Sequence, residues 1–215
     1  MTPAAFTAIR GDYTAIAAVG LSIEKLLNRA FEATAAADPN AFARTPKARL
    51  VKTENFDRST PGADGAIDDG TVSIFCYRVA VNAPTRPGWA AVGAHESGAA
   101  RLPLDVHFLI TAFDGDAQAE LTLLGHVMLT LERTPVLTDA MLHPSGRWTA
   151  GETVQLVSED VSTEDVLRTF DTLPGDFRPS VSYLARVVRI DATSDRPEGT
   201  VLTAARGLVP TAVRP

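Results

Sequence analysis

The alternation of apolar and polar positions is clearest over residues 102–134, and the rest of the chain is arranged around that stretch. Leu102, Leu104, Val106, Phe108 and Ile110 share one side of an extended strand, and Asp105, His107, Leu109 and Thr111 share the other. The first side is wholly apolar and is expected to face a core. The second mixes polar and apolar groups, which predicts partial cover. Asp114-Gly115-Asp116 then forms a turn, with Asp116 placed to cap a helix by accepting from backbone N–H groups of its first turn. Past it the period becomes helical, with Leu121, Leu124, Met128 and Leu131 at three- and four-residue steps until Pro135 stops it.

The same reasoning predicts the other elements. Asp12 is expected to cap a helix running to about Ala36, with Ile16, Val19, Ile23, Leu26, Leu27, Ala30 and Phe31 as its apolar stripe. A weak strand is expected over 50–56, then a solvated turn region over 57–70. Residues 71–82 give a strong strand signal, with Val72, Ile74 and Cys76 on one face and Phe75, Tyr77, Val79 and Val81 on the other. Two apolar faces predict a strand covered on both sides. A Pro- and Gly-rich loop follows over 83–101, long enough to suggest a functional role. Its Trp89 either packs back on its own domain or contacts another chain.

Further on, 153–157 reads as a short strand, and Ser162 as the cap of a short helix with Val166, Leu167, Phe170 and Leu173 inward. The last strand, over 181–190, sets Val181, Tyr183, Ala185 and Val187 against Leu184, Val188 and Ile190. In the tail, 200–204 is the one strand-capable piece. The order predicts an α+β fold: a single domain over 1–191, with a mixed, mostly antiparallel β-sheet flanked by helices and laid as one layer on another. The extended loop and a C-terminal arm over 192–215, which can add an edge strand, complete it.

Composition narrows the function. In 215 residues the net charge is −6, and Lys and Arg do not cluster, which argues against a nucleic-acid surface. The one cysteine, Cys76, excludes an internal disulfide and reads as a small core residue. No basic start leads into a long apolar run, and no run approaches the roughly 20 residues of a membrane span, so neither secretion nor a membrane partner is expected.

Candidate chemistry is sparse. His95, His107, His126 and His143 share no metal-ligand spacing with one another or with Cys76, so no metal or cofactor is expected. Asp114-x-Asp116 lacks the downstream glycine and glutamate of a calcium loop. Asp105 and His107, on one strand face, could meet as an ion pair or an oriented imidazole; a hydrogen-bonded structural pair is the simpler reading. Ser180 has no nearby histidine to activate it.

Four ordered blocks carry a resemblance: Phe75-x-Tyr77-Arg78-Val79-x-x-Asn82; Leu102-Pro103-Leu104-Asp105-x-His107-x-Leu109-x-Thr111-Ala112; Leu123-Leu124-Gly125-x-x-Met128-x-x-Leu131 followed by Pro135-Val136-Leu137; and Phe177-Arg178-Pro179-Ser180-Val181-x-Tyr183. Together they resemble the tail-terminator, or cap, proteins of phage-tail-like contractile injection systems. The resemblance spans roughly 21–190 and leaves the 192–215 tail uncovered. It implies a structural part, not an enzyme, without cofactor or small-molecule substrate. Such a part would form a ring, a homohexamer, at the baseplate-distal end, where it ends inner-tube growth and anchors the last sheath layer. Its partners would be itself, the sheath and the tube, and its place the bacterial cytoplasm as part of an assembled particle, or outside the cell if released with it.

Tyr77, Leu104, Leu109, Leu124, Met128 and Tyr183 lie on apolar stripes and are expected in the core. Arg78, Asn82, Asp105, His107 and Arg178 either satisfy buried backbone or carry subunit contacts. Arg178 is the first choice for an interface, since a guanidinium can bridge a neighbour's carboxylate bidentately. Trp89, Val201 and Leu202 complete the candidate contacts with another subunit, the sheath or the tube. The rival readings are an assembly chaperone or adaptor for a tail component, and a small enzyme using Asp105 and His107.

Overall fold

The computed structural model describes residues 13–57, 66–86 and 101–191. Within them, α1 (Ala15–Ala37) leads into β1 (Lys47–Val51), a 3-10 turn (Thr53–Phe56), β2 (Thr71–Val81) and β3 (Arg101–Phe113). Then come α2 (Ala117–Arg133), β4 (Val136–Leu137), β5 (Val154–Glu159), α3 (Thr163–Asp171) and β6 (Ser180–Asp191). Six strands form one sheet in the order β1-β2-β3-β6-β5-β4. Among the described strands, only β1 and β2 run parallel; every other pairing is antiparallel. The expected mixed, mostly antiparallel α+β domain is the fold observed.

Packing, more than capping, holds α1. Its N-cap is Thr14, which makes no side-chain cap bond, and Asp12, the expected cap, lies outside the described residues. Val19, Ile23, Leu27 and Phe31 are fully buried, at about 1.5–3 kcal/mol each, against roughly 1 kcal/mol for a good cap. Gly20 lets the helix lie close on β1: a Cβ there would stand 2.7 Å from Leu50 Cδ1. The weak strand expected over 50–56 begins earlier and ends at Val51. There the chain tightens into the 3-10 turn, which buries Phe56.

Helices cover both faces of the sheet, as expected of a sheet flanked by helices. The main core joins α1 and α2 to Val72, Ile74, Val106, Phe108, Ile110, Tyr183 and Ala185. A second cluster on the opposite face joins Val51, Phe56, Ile67, Leu109, Phe113, Phe170 and Leu173. The second side of β3 is therefore more covered than its mixed composition suggests. His107, Leu109 and Thr111 are all buried, with Leu109 packed among Phe56 of the 3-10 turn and Phe170 of α3.

Two bulges move residues from their expected faces. In β2, Cys76 pairs with Phe108 and Arg78 with His107, leaving Tyr77 as an extra residue. Val79 and Val81 thereby leave the Phe75/Tyr77 face and oppose Val106 and Leu104 on the other one. In β6, Arg186 and Val187 together stand opposite Asp105, so the inward series runs Tyr183, Ala185, Val188 and not through Val187. On α2 the buried stripe is Leu123, Leu124, Val127 and Leu131, while Leu121 and Met128 are exposed. Leu167 of α3, expected inward, is also exposed.

Candidate functional site

The three longest strands, β2, β3 and β6, meet at one end of the sheet. There Arg101, opening β3, stands in register with Asp191, closing β6, and the Asn82 N–H, just past β2, donates to the Pro103 carbonyl at 3.0 Å. The 87–100 connection and the 192–215 tail therefore depart from the same end. Trp89 and His95 in the first, and Val201 and Leu202 in the second, lie outside the described residues. Val79 and Val81 sit near this end and are 45% and 38% exposed.

Asn82 pins this end. Its Nδ2 donates to both Asp105 oxygens at 2.9 and 3.1 Å, and its Oδ1 accepts from Thr85 N–H at 2.9 Å. Asp105 and His107 thus share a face but not a bond. His107 is buried and turns to Glu159, with Nδ1 2.9 Å from Oε2. A carboxylate can only accept, so Nδ1 carries the hydrogen.

Glu159 collects two more donors. Tyr77 Oη donates to its Oε2 at 3.0 Å and Ser182 Oγ at 3.1 Å, while the two hydroxyls lie 3.0 Å apart. Burial alone would raise the Glu159 carboxyl. The hydrogen bonds from His107, Tyr77 and Ser182, with the electrostatic attraction of His107, outweigh it and hold the group below its usual range. Burial pushes the Tyr77 phenol up, and the Glu159 charge adds to that.

This cluster borders a cleft of about 620 Å³ that Phe75, Arg78 and Arg168 also line. Its connectivity differs from that of a hydrolytic triad, in which the hydroxyl bonds the imidazole. Here the Ser182 hydroxyl bonds Glu159 and Tyr77. Among the described residues, no three of His, Cys, Asp and Glu converge as metal ligands. No described helix is long and apolar enough to cross a membrane.

Arg178 bridges a carboxylate of its own chain. Its guanidinium pairs with Glu120 of α2 and lies 5.1 Å from the centroid of the Phe113 ring, at the edge of a second cleft of about 590 Å³. Arg78 is exposed on β2. Glu159 and Glu120, the two carboxylates that organise these contacts, were not singled out by sequence pattern. Glu159 ends a strand and Glu120 sits in a first helical turn, both ordinary places for an acid.

The two edges of the β1–β2 pair are treated differently. On the outer side of β1, Asn28 of α1 exchanges two bonds with Ala48, accepting its N–H at 2.8 Å and donating to its carbonyl at 3.0 Å. Glu24 accepts the Leu50 N–H at 2.7 Å. That edge is closed by helix side chains. β1, however, accompanies β2 only over Thr71–Phe75, while β2 continues to Val81.

Comparison with known proteins adds a family. The model of the Pvc16 N-terminal domain matches residues 18–204. Among solved structures, the chain is similar to one in the cryo-EM structure of an extracellular contractile injection system, the PVC sheath/tube terminator in its extended state. The TM-score is 0.50 and the identity 17%, over 85% of this chain and 62% of that one. The likeness is one of fold, and this chain spans about three fifths of the length of that one. No curated protein matches.

Proposed function

The chain belongs to the Pvc16 N-terminal domain family, and on that premise we propose that it is the tail terminator of a contractile injection system. In this reading, copies form a ring, a hexamer, at the baseplate-distal end, end inner-tube growth and anchor the last sheath layer. Sheath and tube proteins are its partners, and the bacterial cytoplasm is where it assembles. The role is structural and not catalytic. The cluster around Glu159 fits this, since its hydroxyls and imidazole all turn to one carboxylate and lock β2, β3, β5 and β6 together.

The observation that carries the reading is the family match over 18–204, joined to the convergence of two segments at one sheet end. Closed rings need heterologous contacts, in which one surface meets a different surface of the next copy. The 87–100 connection and the 192–215 tail, departing from the same end, put two segments where neighbours would meet in this reading. The 192–215 arm is the contact we assign to the neighbouring copy.

Native mass measurement tests this. The full chain is expected at several times its 22.8 kDa, and the chain lacking 192–215 at the monomer mass. A full chain that remains monomeric at every concentration, and binds a tail component only transiently, would instead favour the assembly chaperone.

A further inference from the structure

We propose that the outer edge of β2 at residues 78–81 is a docking site for residues 200–204 of a second copy of this chain, an inference that rests on the ring reading above. Beyond Phe75, no strand among the described residues lies on that side of β2, which runs on to Val81. Unpaired strand edges invite pairing with another chain, and proteins usually block them. This protein does so on β1, with Asn28 and Glu24. Among the described residues, none blocks the β2 edge in this way: Arg78 is the one charge of 78–81, no proline interrupts that run, and Val79 and Val81 stand exposed.

The donor is argued from length, place and pattern. Thr200-Val201-Leu202-Thr203-Ala204 is uncharged and rich in β-branched residues, and at five residues it is long enough to pair along all of 78–81. The family match extends through residue 204, so this segment belongs to the shared domain although the described strands end at Asp191. The intervening 192–199 can span up to about 27 Å when extended. Pairing within one chain would carry the tail across the β2–β3 connection, which leaves from the same end, and connections at one end of a sheet avoid crossing. Pairing with the next copy needs no crossing. It gives each copy one donor and one acceptor on different surfaces, the arrangement a ring requires.

Cysteine mapping tests the pairing in the full chain with Cys76→Ser. One set of chains carries a single cysteine at 79, 80 or 81, another a single cysteine at 201, 202 or 203. Facing residues on paired strands lie about 4.5–5.5 Å apart at Cα, within disulfide reach. Mixing the two sets under mild oxidation is expected to give covalent dimers, in an alternating pattern along the strand. A third chain carries both cysteines; cross-links that form only within that chain, or none at all, would overturn the proposal. In the unsubstituted chain, amide exchange at 78–81 should slow at least about tenfold on assembly, and unchanged exchange would also overturn it. A ring that forms without these cross-links removes the pairing and leaves the terminator reading standing. Cross-linked chains that are absent from particle ends do the reverse.

Discussion

Glu159 receives His107, Tyr77 and Ser182 on a single carboxylate, and its ionisation links the cluster to pH. The folded group titrates below its ordinary value of 4.5, so its stabilising contribution is fully present above that value and is lost as pH falls through the lowered one. Glu159→Gln is expected to remove that part of the acid loss and to cost about 1–3 kcal/mol near neutral pH, because the donors lose a charged acceptor. Thermal melts of both proteins between about pH 3 and 7 check this. Parallel curves through the acid range would contradict it. Pairings of this kind were not legible in the sequence. Asp105 and His107 are two residues apart, yet each takes a partner from elsewhere, Asn82 and Glu159, that only sheet register brings near. Arg178 was legible as a guanidinium seeking a carboxylate, but not as one that finds Glu120 across its own domain.

Elements were more legible than contacts. Asp116 caps α2 as its position predicts, accepting from Gln118 and Ala119 N–H. Asp116→Ala should lower stability by about 0.5–2 kcal/mol in denaturant titration. Asn28 has a different task, since it closes the β1 edge. Asn28→Ala leaves both polar backbone groups of Ala48 without their partner and should cost about 1–3 kcal/mol. It should also raise self-association at high concentration, as light scattering would show; a variant with unchanged stability and scattering would remove this role. What escaped the pattern was the bulges. One extra residue at Tyr77 sends Val79 and Val81 to the opposite face, and a period-two reading cannot foresee an insertion that leaves no mark on composition. Leu121 and Met128 fit a helical period as well as Leu123 and Val127 do, so the period showed a helix but not which stripe the sheet would cover.

For the whole molecule, the alternation of strands and helices fixed the class, and four ordered blocks pointed to a family that the match over 18–204 bears out. Helices flanking the sheet were legible; the full cover of β3's second side was not, because its polar members, His107 and Thr111, are buried through hydrogen bonds and not by apolar character. The long strands end where two segments leave together, and the account places assembly at that end. Deleting 192–215 should leave the described domain folded, with a melting temperature within a few degrees of the full chain's, while abolishing the ring. The most direct measurement is electron microscopy of purified particles in which this chain carries a label. The account predicts label in a single disc at the end opposite the baseplate, and tubes of uncontrolled length when the chain is removed. Label along the shaft or at the baseplate, or unaltered tubes without the chain, would contradict it.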